Sequence, residues 1–402
     1  MENLSVPGFH DKHTAETSLK TKILDICRRI ASLYCYQHIE TPHVESAQLL
    51  TRGGEDIQKE IYLFQDKGER KIGLRFDLTV PLLRYVAEHS PQMPFKRFAY
   101  GDVFRGEKPQ KGRFREFTQA DFDIVGVTSS NAEIEILEIF SKILTELNFD
   151  FIILVNDRRL ADKLVELLQC RDKLAFFRIL DKAKKLEQTA FLDELKKQLD
   201  NPMIDRMLMY INDPEKLLFD IEPLLPEPCQ NIRKFMSLFS TVLFDPTIVR
   251  GLDYYTGCVF EIYLKNKAFG AIASGGRYDN FIRCNGKPVP AIGGSFGVDR
   301  LLGVADLPDI GHDFFISHLY ENCFEELKEV QQKLFSFGFS CEVFLEQQDL
   351  KKQLKYAEAK NFKFILILRK GEISLIDKIS KTEKKFATLN ELYAYLKLAY
   401  KT

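Results

Sequence analysis

The sequence predicts an α/β protein in two parts: a large α+β portion built on antiparallel strands, then a smaller α/β portion. Three observations carry that reading. The 402 residues are enough for two or three domains of ordinary size. Through residue 300 or so, segments of period 2 and period 3.6 alternate, apart from a Lys/Leu/Glu-rich block at 158–244 that is almost wholly helical in pattern. A break at Leu307-Pro308-Asp309-Ile310-Gly311 is followed by apolar runs separated by helical stretches, the pattern of a largely parallel small sheet.

The elements follow in order. Leu19, Ile23, Ile26, Ile30 and Leu33 recur at helical spacing, which places an amphipathic helix over 17–34. Ile39 to Pro42 reads as extended, with Pro42 at an edge, a strand end or an interface because proline cannot donate to a ladder. Runs at 61–65 and 71–76 flank the polar turn Asp66-Lys67-Gly68-Glu69 as a β-hairpin, and 78–88 is helical with Pro81 in its first turn. Strand-rich segments at 96–104 and 115–125 enclose a charged loop at 105–112, a long antiparallel hairpin. A helix at 131–147 follows the cap signal Ser129-Ser130-Asn131. After the helical block, a strand is expected at 258–264, and Gly293 to Gly297 is expected to open a helix carrying Asp299 and Arg300. In the last portion, strands are expected at 314–320, 341–345 and 364–368, with helices at 321–337 and 349–360.

Composition narrows the function classes. Lys and Arg number 57 against 58 Asp and Glu, so a polyanionic partner must be held by local basic patches rather than by the net field. No stretch has the roughly 18 consecutive apolar residues of a membrane span, and the start MENLSVPGFHDKH lacks a basic flank followed by an apolar run, so neither membrane insertion nor secretion is expected. The eight cysteines include no CxxC pair and the seven histidines no HExxH pair, which leaves a zinc site without a candidate and suggests reduced, cytosolic thiols.

Neither GxxxxGK[ST] nor a GxGxxG following a strand occurs, so phosphate must be bound by side chains. The segment FRGEKPQKGRFREF, residues 104–117, sets Arg105, Arg113 and Arg115 around one loop, where guanidinium forks can converge on a polyphosphate while an adjacent phenylalanine offers a face to a purine. Read alone, it could equally be a solvated basic hairpin. RGLDYYTG at 250–257 places an arginine beside a glycine and two tyrosines on opposite sides of an extended chain. SGGRYD at 274–279 and GGSFGVDR at 293–300 each read, in isolation, as a glycine turn with a surface arginine.

Taken in succession, these four segments closely resemble the histidyl-tRNA synthetases, a family of class II aminoacyl-tRNA synthetases. VPGFHD, IETPHVE, LRFDLTVPLLRY, QADFDIVG and LKKQLKYAEAKNF extend the resemblance over nearly the whole chain, weakest across 158–244. It implies residues 1–310 as a class II catalytic domain with an antiparallel sheet flanked by helices and a helical insertion at about 158–244, and 311–402 as an anticodon-binding α/β domain. It implies adenylation of L-histidine by ATP with Mg2+, then transfer of histidine to the 3′ end of tRNA(His). By resemblance Arg105 lies on the α-phosphate, Glu107 reads the adenine amino group, Phe117 stacks on the purine, and Arg113 and Arg300 clamp the terminal phosphates. Arg250 bridges the substrate carboxylate and α-phosphate. Asp77, Thr79 and Gln119 hold the ammonium end of histidine, while Asp123, Tyr255 and Tyr278, with Tyr254 nearby, surround its ring. Many relatives carry Glu where Asp123 stands. Pro42 matches the proline of the class II dimer motif, so a homodimer in the cytoplasm is expected. After residue 311 there are fifteen Lys and Arg against thirteen Asp and Glu, with Lys351, Lys352 and Lys355 on one helix as the expected tRNA contact. The rival reading is a paralogue without aminoacylation, such as the regulatory subunit of ATP phosphoribosyltransferase. The three ATP-clamping arginines and the C-terminal portion speak against it.

Overall fold

The structure is a computed structural model that describes residues 5–51, 58–108, 113–184, 186–249, 255–265, 270–308, 311–318, 324–346 and 348–400. They form two compact units, 1–307 and 308–402.

In chain order the strands of the first unit are β1 (Gln37–His38), β2 (Val44–Ser46), β3 (Leu63–Gln65), β4 (Lys71–Leu74), β5 (Phe95–Phe104), β6 (Glu116–Val125), β7 (Phe151–Asp157), β8 (Val242–Phe244), β9 (Cys258–Leu264), β10 (Ala273–Arg277), β11 (Arg283–Cys284), β12 (Lys287–Pro288) and β13 (Ala291–Gly297). Eight of them make one sheet in the order β1-β5-β6-β13-β10-β9-β7-β8. Pairing is antiparallel from β5 through to β7 and parallel only at the two edges, β1 with β5 and β7 with β8.

The alternation along β6 sorts the two faces of this sheet. Ala120, Phe122 and Ile124 point into the main core. There the helices Thr14–Leu33 and Asn131–Glu146 cover the sheet, burying Ile23, Ile30, Ile136, Phe140 and Ile143, each worth about 1.5–3 kcal/mol of transfer free energy. The Phe140 ring stacks on Phe296 of β13 at 4.2 Å. The intervening residues Gln119, Asp121 and Asp123 therefore fall on the opposite face, which is polar.

A small sheet β2-β4-β3 and the helix Thr79–His89 build a second cluster on Leu50, Phe76, Leu82 and Val86. The 158–244 block holds six helices among the described residues, from Arg158–Leu167 to Pro226–Leu238, and ends in the short strand β8. Asp157, Asp172 and Asp213 cap three of them, and Pro202, Pro214 and Pro226 sit in first turns. Phe176, Phe177, Tyr210 and Phe235 of this block join the main core.

The second unit has a five-stranded sheet, β15-β14-β16-β17-β18, made of β14 (Phe314–His318), β15 (Cys341–Val343), β16 (Phe364–Arg369), β17 (Glu372–Asp377) and β18 (Thr382–Phe386). It has its own core around Phe314, Leu366 and Leu375.

Several sequence expectations need correction. Gly293 to Gly297 belongs to β13 in the middle of the sheet, and the helix with Asp299 and Arg300 begins only at Val298. SGGR lies on β10, not in a turn, and its Arg277 is buried against Glu133, 2.7 Å between Nη2 and Oε2. The second sheet is mixed: only β15, β14 and β16 are parallel, while β17 and β18 add antiparallel strands.

Candidate active site

The polar face of the large sheet carries a cavity of about 350 Å³. Arg105, Glu107, Arg113 and Phe117 reach it from the β5–β6 hairpin, Gln119 from β6, Ser295 from β13, and Arg300 from the helix Val298–Leu302. Five of these residues are the ATP-binding set expected from the sequence. Each is held by the fold. The Arg105 Nε–H donates to the Phe76 carbonyl at 3.0 Å, and its guanidinium lies over the Phe117 ring, 5.1 Å from the centroid. Arg113 pairs with Glu107 at 3.1 Å, and Arg300 donates to the Ala271 carbonyl at 2.5 Å. Asp299 is fixed from two sides: Lys12 lies at 2.9 Å and the Thr118 N–H donates to it at 2.6 Å.

Beside the cavity lies a cluster of buried ionisable side chains. Asp123 is 2% exposed; Tyr278 donates to one of its oxygens, and the Arg97 guanidinium lies 2.9 Å from the other. Arg97 also donates to the Leu78 carbonyl at 2.9 Å. Two pleats along the same face, Gln119 opens onto the cavity with its Oε1 buried and lacking a hydrogen-bond partner among the described residues. Between them stands Asp121, 3% exposed. Asp77 accepts the Val80 N–H, in the first turn of the helix that begins at Thr79, at 2.9 Å. The ring of Tyr255 covers Gly276, where a Cβ would sit 2.9 Å from it.

Desolvation controls the electrostatics here. Burial pushes the Asp121 carboxyl up to about 7, against the pull of Arg97 and with the push of Asp123. Burial likewise raises Asp123 and Asp77, opposed in Asp123 by Arg97 and the Tyr278 hydroxyl and in Asp77 by the Val80 N–H and Arg105. The cluster is thus short of cations among the described residues. Arg250 and Tyr254 lie outside the described residues, and Pro42 stands apart from the cavity, exposed between β1 and β2.

Sequence reading missed Arg97, Asp121, Ser295 and the Lys12–Asp299 pair. Asp121 was within reach: Gln119, Asp121 and Asp123 alternate with Ala120, Phe122 and Ile124, which puts three polar groups on one face. Arg97 pairs with Asp123 only through strand register, and nothing local in the sequence encodes that.

An antiparallel sheet whose polar face carries a cavity lined by three arginines and a phenylalanine, beside a cluster of buried carboxyls, has the make-up of an enzyme site for an anionic substrate. The comparisons with known proteins narrow that class. A family profile described as Histidyl-tRNA synthetase matches residues 8–301. A "Histidine--tRNA ligase" of Helicobacter hepaticus is 33% identical over 405 residues, covering 92% of each chain. One of Helicobacter pylori strain J99 is 35% identical over 398 residues, covering 91% of this chain and 90% of the other. The crystal structure of histidyl-tRNA synthetase from Nostoc sp. PCC 7120 superposes with a TM-score of 0.81 at 26% identity, over 99% of this chain and all of the other. The chain belongs to the histidyl-tRNA synthetase family.

Proposed function

We propose that this protein is an ATP-dependent ligase that joins L-histidine to the α-phosphate of ATP, releasing pyrophosphate, and passes the histidyl group to the 3′ end of tRNA(His), releasing AMP. The observation that carries this reading is the meeting of Arg105, Arg113, Arg300 and Phe117 in one cavity next to the Asp77–Asp121–Asp123 cluster. Displacement at phosphorus needs no protein nucleophile; it needs two anions held in line and donors aimed at the charge that develops. Arg105 takes the α-phosphate, Arg113 and Arg300 the terminal phosphates, Glu107 the adenine amino group, and Phe117 the purine face. Arg250 spans the histidine carboxylate and the α-phosphate. Magnesium enters on the nucleotide as part of the substrate: both oxygens of Asp299 are engaged and Glu107 is paired with Arg113. Among the described residues no group of three ligating side chains offers it a separate site.

In the amino-acid pocket, Asp77, Thr79 and Gln119 take the ammonium. Asp123, Tyr254, Tyr255 and Tyr278 define the ring site. The short Asp123 serves because β6 and the glycines of β13 bring the backbone close: a Cβ on Gly293 would lie 2.0 Å from its Oδ1. A pocket whose buried polar groups go unpaired with other amino acids rejects them strongly.

We assign residues 1–310 to catalysis and 311–402 to the anticodon. Lys351, Lys352 and Lys355 share the exposed face of the helix Leu350–Ala359, opposite buried Gln353 and Ala357. A homodimer formed near Pro42 is favoured by the exposed apolar side chains of Val44, Leu63 and Phe64 on the small sheet. No helix among the described residues is long and apolar enough to cross a membrane, and we place the protein in the cytoplasm.

Histidine-dependent ATP–pyrophosphate exchange tests the assignment. Arg300→Ala and Arg250→Ala should each slow exchange by about 10²-fold or more, the loss typical of one transition-state donor. Exchange at the unaltered rate in both variants would remove the arginines from the mechanism. No exchange with any amino acid in the unaltered protein would favour the regulatory paralogue.

A further inference from the structure

We propose that Asp121 is an additional residue of the amino-acid pocket, taking the substrate's α-ammonium together with Asp77 and Gln119. The inference rests on the histidine-activating function proposed above and names a group which that assignment leaves unused.

Strand geometry supplies the first argument. Asp121 lies between Gln119 and Asp123 on one face of β6, so its carboxylate stands between the residue at the cavity wall and the residue at the ring end. Its cross-strand neighbours are Ala99 on β5 and Ser295 on β13. Ala99 is packed with Leu78 and Val103, and Ser295 reaches the cavity.

Unmet hydrogen-bonding capacity supplies the second. Gln119 Oε1 is a buried acceptor with no hydrogen-bond partner among the described residues, and buried Asp121 has the Ser295 hydroxyl as its one hydrogen-bonding neighbour there. Buried acceptors short of donors cost free energy until one arrives. Two such acceptors on adjacent pleats, with Asp77 near enough to act on Asp121 electrostatically, suit a ligand group with several N–H donors and a positive charge. An α-ammonium has both.

Charge balance supplies the third. The groups that act on Asp121 are Arg97 from β5, Asp123 from its own strand, the Ser295 hydroxyl from β13, and Arg75 and Asp77 from the segment leading into the helix Thr79–His89, with Tyr278 beyond Asp123. Arg97 lies in direct ion pairing with Asp123, and Arg75 is tied to the Asp102 and Thr41 carbonyls at 2.9 and 2.7 Å. Before ligand binds, burial sets the midpoint of Asp121 near neutrality, so the proton is shared between bound and released forms at pH 7. When the ammonium docks, the Asp121 carboxylic acid loses its proton to solvent and the ligand keeps all of its own. One cation has replaced another beside the same oxygen.

Calorimetric titration at pH 7 in buffers of different ionisation enthalpy counts that proton. With the full-length protein, histidine should release about half a proton beyond the contribution of its own ring, because a group titrating near 7 is half protonated there. The analogue in which hydrogen replaces the α-amino group should release none. In Asp121→Asn the extra release should vanish and histidine should bind about 10-fold or more weakly, the usual effect of losing a hydrogen bond to a charged group. The analogue's Kd should stay within about 2-fold. Equal weakening of both ligands, or an unchanged proton count in the variant, would overturn the proposal. Should Asp121→Asn fail to fold, the unaltered protein still decides: equal proton release with histidine and with the analogue overturns it. Failure of the unaltered protein to bind histidine at all would instead defeat the functional assignment beneath it.

Discussion

Burial raises the Asp121 carboxyl, so this group makes stability depend on pH. Its unfolded value is near 4 and its folded value about 7, so between those limits the folded state binds more protons than the unfolded chain. Stability contributed by this group is therefore present below pH 4 and declines as pH rises towards 7. Asp121→Asn removes that decline. In thermal melts without ligand, the variant's Tm should fall less than the parent's between pH 5 and pH 8; parallel curves would mean that Asp121 titrates as an ordinary carboxylate. Not every buried charge behaves this way. Arg277 and Glu133 are both nearly inaccessible yet fully paired, and Arg277 also donates to the Val127 carbonyl at 2.9 Å. That pair joins β10 to the helix Asn131–Glu146, a structural duty which the motif SGGRYD does not disclose. The residues of FRGEKPQKGRFREF were legible because their chemistry is local: one loop, three guanidinium forks, one aromatic. Arg97 was not, since its partner lies 26 positions away and meets it only across a strand pair.

At the level of elements, the glycines of β10 and β13 shape the floor of the site. Gly276 pairs with Gly293, so two central strands carry no side chains where Tyr255 and Asp123 need space, while the Gly275–Gly294 pair makes room for Phe260 on the core face. Gly293→Ala would drive its Cβ to within 2.0 Å of Asp123 Oδ1 in a close-packed strand. The expected outcome is destabilisation by about 1–3 kcal/mol and loss of histidine binding out of proportion to the loss of ATP binding. Chemical denaturation and separate ligand titrations would check this; equal losses for both ligands would place the damage in the sheet as a whole. Glycine-rich runs invite a turn assignment because glycine is rare in strand interiors. Here close approach of neighbouring side chains, which no local pattern reveals, decides otherwise. The helices at 14–33, 79–89 and 131–146 were readable from apolar spacing alone, for they bury one face and expose the other. β7 went unread because FIILVND is buried along nearly its whole length and has no alternation to show.

Across the whole molecule, the proposed function assigns histidine activation to residues 1–310 and tRNA contact to residues 311–402. Replacing Lys351, Lys352 and Lys355 together by Glu should raise the KM for tRNA by about 10-fold or more at moderate salt and leave ATP–pyrophosphate exchange unchanged. A parallel fall in both activities would contradict the division. The second unit was only partly foreseen. Its parallel strands β14 and β16 are plain apolar runs, whereas β18 reads Thr-Glu-Lys-Lys-Phe and is exposed along most of its length, the look of a loop. Backbone pairing with β17 gives it its conformation.

In the proposed site a nucleotide and a histidine lie side by side, the first under arginines and the second against buried carboxyls. A crystal structure with a non-hydrolysable histidyl-adenylate analogue measures this most directly. The adenine ring should lie against Phe117, the phosphate-mimicking group within about 3 Å of an Arg105 nitrogen, and the α-ammonium at Gln119 and Asp121. An analogue bound with its nucleotide half away from Arg105 and Arg300, or its amino group facing solvent, would contradict that placement.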